Sequence, residues 1–539
     1  MDTIGTGPAP DPAPRRRGRR RRIALAALVA LAVLPAVAAA RPGAAASHAA
    51  GTSAAASLPA TDAPPEWGST AGVWAGHNYD LANTRATKRT SITSKNVAGL
   101  KVKWRFALDS NEFFGTFSSN PIVVGGTVYL IDLNSKVSAL DQATGRVKWQ
   151  RSFDSPNVGP NGVAYGWGLL FGTTHTGVFA LDPRTGATVW SRELVKEGDG
   201  GVDIAPQLYD RTVVVSTVPS TLTTYAPGSM GTVWAFDAAT GTPKWSFNTI
   251  KDGYLWGHPE INSGGGLWFP PGVDDRGRVF VAVGDPAPFP GTSEYPNGAS
   301  RPGPNLYTNS LVALDGKTGK VLWYQQVAPH DLRDYDLHIS PIITYATLNG
   351  VRTEVVVVAG KMGSVHAYRA DDGKPLWSLP VGRHQNDTGP LPDQPVQVYP
   401  GIFGGVQTPM SVSDGRLFVP WVDASSPMSS TSYDFPDLAS GTGGILAVDV
   451  ATGKVLWKRD LPSENFGAAT VANDVVFTST YDGTIYGLDV RTGKTLWSTT
   501  TKAGINSFPA VVGDTLYIGA ASPIFFDQPV PEFLAYSLS

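Results

Sequence analysis

The chain has 539 residues, 42% hydrophobic and 10% aromatic, with 43 basic and 45 acidic side chains that leave a net charge of −2. That balance offers no basic face for nucleic acid. The absence of cysteine excludes disulfides, a thiolate metal site, a C-x-x-C-H haem attachment and a lipobox anchor.

Arg15 to Arg22 carry seven arginines, followed by the apolar run Ile23 to Ala40 and small residues suited to cleavage after Ala40 or Ala46. This order predicts an export signal over residues 1–40 and a secreted or cell-envelope location. An uncleaved anchor is the alternative, since the run just reaches spanning length, but its Ala content and Pro35 favour cleavage and leave no stable membrane span. The Ala, Gly, Ser and Pro content of residues 41–65 predicts a disordered linker, and residues 66–539 form the folded domain.

That domain opens on WAGHNYDLANTRATKRTSITSKNVAGLKVKW, Trp74 to Trp104. A second phrase then recurs: ALDQATGRVKW ending at Trp149, and relatives ending at Trp190, Trp245, Trp323, Trp377, Trp457 and Trp497. Its apolar half suits a half-buried strand. Its Asp, Thr and Gly suit a turn in which a short polar side chain binds backbone amides and Gly takes positive φ. Another apolar run and tight turn precede each copy, as in VVFTST followed by Tyr481-Asp482-Gly483, so each repeat is an antiparallel meander. Such meanders at intervals of about forty residues predict a β-propeller. Trp104 has no turn phrase before it, and the C-terminal strands TLYIGA and EFLAYSL have no Trp strand after them. The two ends complete each other: the fold class is all-β, an eight-bladed propeller of four-stranded blades closed by Lys101 to Leu108 against the C-terminal strands.

The opening phrase, with its Asp-x-x-Asn-Thr-Arg and N-V-x-x-L-K-V-x-W, and the repeat phrase together resemble the quinoprotein dehydrogenases that use pyrroloquinoline quinone (PQQ), including the polyvinyl alcohol dehydrogenase branch. The resemblance runs from Trp74 to the end. It implies an alcohol dehydrogenase with PQQ, a calcium or lanthanide ion, an alcohol substrate and a separate electron acceptor, without haem. Similar repeats also build non-catalytic scaffolds of the outer-membrane assembly type, and a propeller binding a protein or polymer at its mouth is the alternative function.

Residue by residue, the resemblance places Asn161-Gly162 where the family has an Arg-Gly gripping a PQQ carboxylate, and Ser220 where it has a metal-binding Glu. Thr217 stands among the cofactor contacts. Trp268 matches the tryptophan under the PQQ ring, a stacking face outside the repeat phrase. Asp285, in V-G-D-P, replaces an Asn metal ligand, and a hard cation accepts either oxygen. In PHDLRDYDL, Asp334 matches the carboxylate that takes the alcohol's proton, and Asp336 matches the extra aspartate of lanthanide-preferring members. These acids could equally cap turns; three of them in six residues beside His330 favour a site. Lys361 matches the basic residue set against the quinone oxygens, and its two readings, a solvated turn tip or a charge at the end of a buried strand, stand side by side. Gln407-Thr408 replaces an Asn-Trp. The family's vicinal cysteine pair has no counterpart.

Two Pro/Gly/Ser-rich insertions, Pro286 to Pro304 and Ala424 to Gly444, are expected at the propeller's mouth, where Tyr295, Tyr307, Tyr433 and Phe435 either stack on a ligand or pack the loops. His77, His175, His258, His330 and His366 lack zinc spacing and are expected to be structural. No G-x-S-x-G elbow, P-loop or dinucleotide fingerprint is present.

Overall fold

The computed structural model describes residues 62–538 apart from 68–71, 110–114, 222–224 and 252–253. The expected export signal and nearly all of the expected linker lie outside the described residues. Eight four-stranded antiparallel blades follow one another along the chain, the seventh extended by Ala86–Thr87 pairing parallel to its first strand. The first comprises Ile122–Val124, Thr127–Ile131, Val137–Asp141 and Val147–Arg151, and the second begins at Val163–Gly166. The third through seventh begin at Gln207–Tyr209, Gly272–Val273, Ile342–Leu348, Ser411–Ser413 and Thr470–Ala472. The eighth is assembled from both ends. Leu100–Ala107 pairs antiparallel with Glu532–Leu538, Leu100 opposite Leu538 and Ala107 opposite Glu532, with a register shift between Val102 and Trp104.

The repeat phrase is the joint between blades. Asp141 Oδ1 accepts hydrogen bonds from the backbone N–H and hydroxyl of Thr144, and Asp237, Asp315, Asp449 and Asp489 do the same for Thr240, Thr318, Thr452 and Thr492. The glycine that follows lies under the tryptophan of the preceding blade. A Cβ at Gly145 would lie 2.7 Å from the Trp104 ring, and one at Gly453 2.7 Å from Trp377, both glycines having φ of +70°. The indole then donates to a carbonyl of the same turn: Trp104 to Gln142, Trp149 to Pro183, Trp245 to Gly316, Trp377 to Val450. One blade cannot bury its tryptophan alone, so the phrase repeats as often as the interface does. Trp497 meets a different partner, the Tyr536 ring at 5.6 Å, because the chain termini interrupt the eighth blade where its turn would be.

The opening phrase threads the innermost strands. Trp74 exchanges backbone hydrogen bonds with Val123 of the first blade, and Ala75 accepts from Tyr165 of the second. Leu81, Ala82, Thr84 and Arg85 accept from Val273, Ile343, Val412 and Val471 of the fourth to seventh blades, and Ser91 donates to Gly513 of the eighth. Asp62, within the stretch expected as linker, pairs with Asp210 of the third. Removing residues 1–108 therefore deletes both the strap and the closing strand, whereas removing 1–61 deletes neither. The first truncation is expected to yield an unfolded or aggregating chain, the second a propeller melting with the full-length protein; equal melting would contradict the closure.

Candidate functional site

The loops entering the innermost strands and the turns between second and third strands share one face. Both insertions belong to such turns and pack into a cap. Its core is Ala287, Phe289, Leu332, Leu391, Val398, Ile402 and Met428. Asn297 of one insertion donates its backbone N–H to Ser430 O of the other, and its side-chain amide bonds Leu391. Tyr433 lies 5.3 Å from Phe289 between ring centroids, Tyr295 5.3 Å from His258, and Phe435 5.7 Å from Phe403. Tyr295 and Tyr433 are half-buried in these contacts, whereas Phe435 stays exposed. His330 spans Gly303 O and Asn297 O, a structural role as expected.

Beneath the cap, the PHDLRDYDL loop is held in a tight turn. Asp331 accepts from the backbone N–H groups of Arg333 and Tyr335, and Arg333 reaches Asn386 O, Thr388 O and Gly389 O in the cap. Arg301 in the first insertion is fully buried and donates to Pro288 O, Asn305 Oδ1 and Asp331 O. This scaffold sets Asp334 at φ +60°, a left-handed conformation that Asp and Asn tolerate better than most residues.

Asp285, Asp334 and Asp336 each bring a carboxylate oxygen within 4.8 Å of the others. They come from the fourth blade's turn and the loop into the fifth blade, and are 2%, 5% and 0% exposed. Asp336 Oδ1 accepts the Asp285 N–H at 2.7 Å. Lys361 Nζ donates to Asp334 Oδ2 at 2.7 Å and lies 2.7 Å from Asp336 Oδ2. Lys361 is thus a half-buried charge facing carboxylates rather than a solvated turn tip. Asp285 Oδ2, Asp334 Oδ1 and Asp336 Oδ2 accept no hydrogen bond; the Lys361–Asp336 contact is an ion pair without hydrogen-bonding geometry. Burial, then mutual repulsion from Asp336 and Asp334, drives the Asp285 carboxyl well above the carboxylate range. Burial does the same to Asp334 against the pull of Lys361. Burial is the largest influence on Asp336 and opposes its ionisation, but Lys361, His338 and the Asp285 N–H together hold that carboxyl low. For Lys361 burial works against the charge, and the carboxylates of Asp334, Asp336 and Asp285 raise it above its ordinary value.

Trp268 and the glycines around it complete this corner. A Cβ at Gly284 would lie 2.6 Å from Asp336 Oδ1 and 3.4 Å from Trp268 Nε1, so indole, glycine and acid abut. Gly265 N–H donates to Asp285 O, and Gly284 N–H to Gly266 O. The Gly264–Gly266 run is close-packed: a Cβ at Gly266 would strike Thr217 O at 2.3 Å. The Thr217 hydroxyl itself is occupied, donating to Met230 O and accepting from Thr232 N–H, and it pins the third blade's turn. Ser220 bonds Thr221 O. Gln407 turns its side chain to Gly404 O, while its carbonyl lies 3.5 Å from His338 Nε2. His338, which the sequence reading passed over, reaches Asp336 O with its other nitrogen and packs on Phe269. Asn161 stands apart from the acids: it is fully buried, donates to Asp132 O, and leaves Oδ1 unpartnered.

Two family models match the chain. The outer membrane protein assembly factor BamB model matches residues 47–251 and 404–524, more than half of the length, and the glucose/ethanol/alcohol dehydrogenase beta-propeller model matches residues 192–396. The chain belongs to the quinoprotein alcohol dehydrogenase-like propeller family. Among relatives of this quinoprotein-like chain, the alcohol dehydrogenase (quinone) dehydrogenase subunit of Gluconobacter oxydans (strain 621H) is 30% identical over 360 residues, 58% of this chain. The chain spans about half of that relative, 45% of its length. The quinohemoprotein alcohol dehydrogenase of Comamonas testosteroni is 26% identical over 527 residues, 83% of this chain and 72% of the relative. Two solved structures share the propeller fold. The quinohemoprotein alcohol dehydrogenase ADHIIG of Pseudomonas putida HK5 has TM-score 0.75 and 21% identity, covering 87% of this chain and 80% of its own. A europium-containing methanol dehydrogenase has TM-score 0.73 and 20% identity, covering 87% and 99%.

Proposed function

We propose that this quinoprotein-like propeller is an exported alcohol dehydrogenase that works with PQQ and a calcium or lanthanide ion. The observation that carries the reading is the acid corner, where three buried carboxylates each place an oxygen within 4.8 Å of the others and each have one oxygen that accepts no hydrogen bond, beside Lys361 and Trp268. An all-oxygen, anionic donor set fits a hard cation. Asp285, Asp334 and Asp336 would hold it, and Trp268 would offer the face for a planar ring. At the opposite end the fit changes, because Asn161 offers a neutral amide already bonded to Asp132 O where a carboxylate would seek a cation. When bound, PQQ supplies the electron-accepting quinone and the metal its Lewis acidity.

The chain's own residues do the rest. Asp334 Oδ1 accepts no hydrogen bond and is the atom offered to the alcohol's proton. Asp336 holds Asp285 in place through its N–H, and the cap excludes water, which strengthens every charge interaction below it. No helix among the described residues is long and apolar enough to cross a membrane. A separate acceptor would receive the electrons, since the chain has no cysteine for a thioether-linked haem. The reading is tested by dye-linked oxidation of primary, secondary and polymeric alcohols by the mature protein incubated with PQQ and calcium or lanthanum. Activity that needs both additions is expected; none on any alcohol class would leave the propeller a binding scaffold.

A further inference from the structure

We infer that Lys361 occupies the metal's place in the unloaded protein, and that cation binding and the Lys361 contacts with Asp334 and Asp336 exclude each other. This rests on the assignment of Asp285, Asp334 and Asp336 as metal ligands and concerns how that site is filled. A cation shared by three carboxylates whose oxygens lie within 4.8 Å of one another must draw on the faces those acids turn to a common centre. Lys361 Nζ stands against two of those three acids, 2.7 Å from Oδ2 of both Asp334 and Asp336.

An ammonium and a divalent or trivalent ion cannot share that volume, because buried like charges at contact distance repel strongly. Without either, three carboxylates would stand uncompensated in an interior where each is at most 5% exposed, a state that burial penalises heavily. Lysine suits the role of placeholder: it is a compact point charge on a flexible four-carbon stem and can withdraw without moving the backbone. The backbone around it is fixed. Lys361 N–H donates to Asp336 O at 3.0 Å, and Gly360 and Gly405 pack so closely that a Cβ would meet Asp336 O at 1.9 Å and Lys361 O at 2.3 Å. Only the side chain is free to exchange. Loading the site would therefore release the ammonium to face an anionic ligand in the same corner.

The test uses terbium luminescence excited through tryptophan, with the full mature chain and no cofactor, together with thermal melting with and without terbium. Lys361→Met and Lys361→Gln are expected to bind terbium at least tenfold more tightly than wild type. Each should melt below wild type without metal and gain more from terbium than wild type does. A variant that folds only with terbium supports the same conclusion, and one that folds under neither condition overturns it. Equal or weaker terbium binding by the variants also overturns it. If in that case Asp334→Asn still weakens binding, the metal site stands and Lys361 is only a neighbour. No terbium binding by any form removes the metal site, and the proposed function with it.

Discussion

Arg85→Ala should destabilise the propeller by on the order of 3–5 kcal/mol, read from the shift in denaturant midpoint, the scale seen when one partner of a buried charged network is removed. Arg85 is fully buried and has no carboxylate partner among the described residues. Its guanidinium donates instead to His77 O, Asn78 Oδ1, Asn120 Oδ1, Ala469 O, Thr470 Oγ1 and Pro509 O, at 2.7 to 3.1 Å. Those acceptors belong to the strap and to the first, seventh and eighth blades, so one side chain ties the ends of the ring to its beginning. Burial brings its pKa down to about 9, which leaves it charged at neutral pH. Arg85→Lys keeps the charge but not the planar fork and should recover little of the loss. A midpoint within error of wild type for the alanine variant would show that the strap, and not this residue, carries the closure.

Asp334→Asn should lower dye-linked alcohol oxidation by roughly 10²- to 10⁴-fold, the usual contribution of a positioned base, with circular dichroism and melting close to wild type. The substitution is chosen for its backbone. At φ +60° asparagine is as well accommodated as aspartate, and its amide oxygen can still accept from Lys361. What it cannot do is take a proton on the free oxygen. Retained turnover would assign the proton to another group, whereas loss of folding would mean that the carboxylate is needed to balance Lys361.

Much of this molecule was legible because its physics repeats. Seven copies of a turn ending in tryptophan record seven blade joints, and the orphan Trp104 strand and tryptophan-less C-terminal strands announce their pairing. Asp334 and Asp336 were legible because they are two residues apart in one acidic loop, while Asp285 and Lys361 needed the family resemblance to be drawn to them from separate blades. Arg85 was visible in the Asn-Thr-Arg motif, but no sequence pattern shows that a single arginine in that segment will find six acceptors in the strap and three blades. The cap was equally hidden, since its core takes one or two apolar residues from each of several distant loops. The Thr217 hydroxyl bonds Met230 O and the Thr232 N–H, a local role that the resemblance did not suggest.

The account is tested most directly by titrating the mature protein with PQQ, followed by tryptophan quenching and equilibrium dialysis, alone and with calcium or lanthanum. Saturable binding that requires the cation, and that Trp268→Ala weakens by about 1 kcal/mol or more through lost stacking, is the predicted result. No saturable binding with either cation would contradict it.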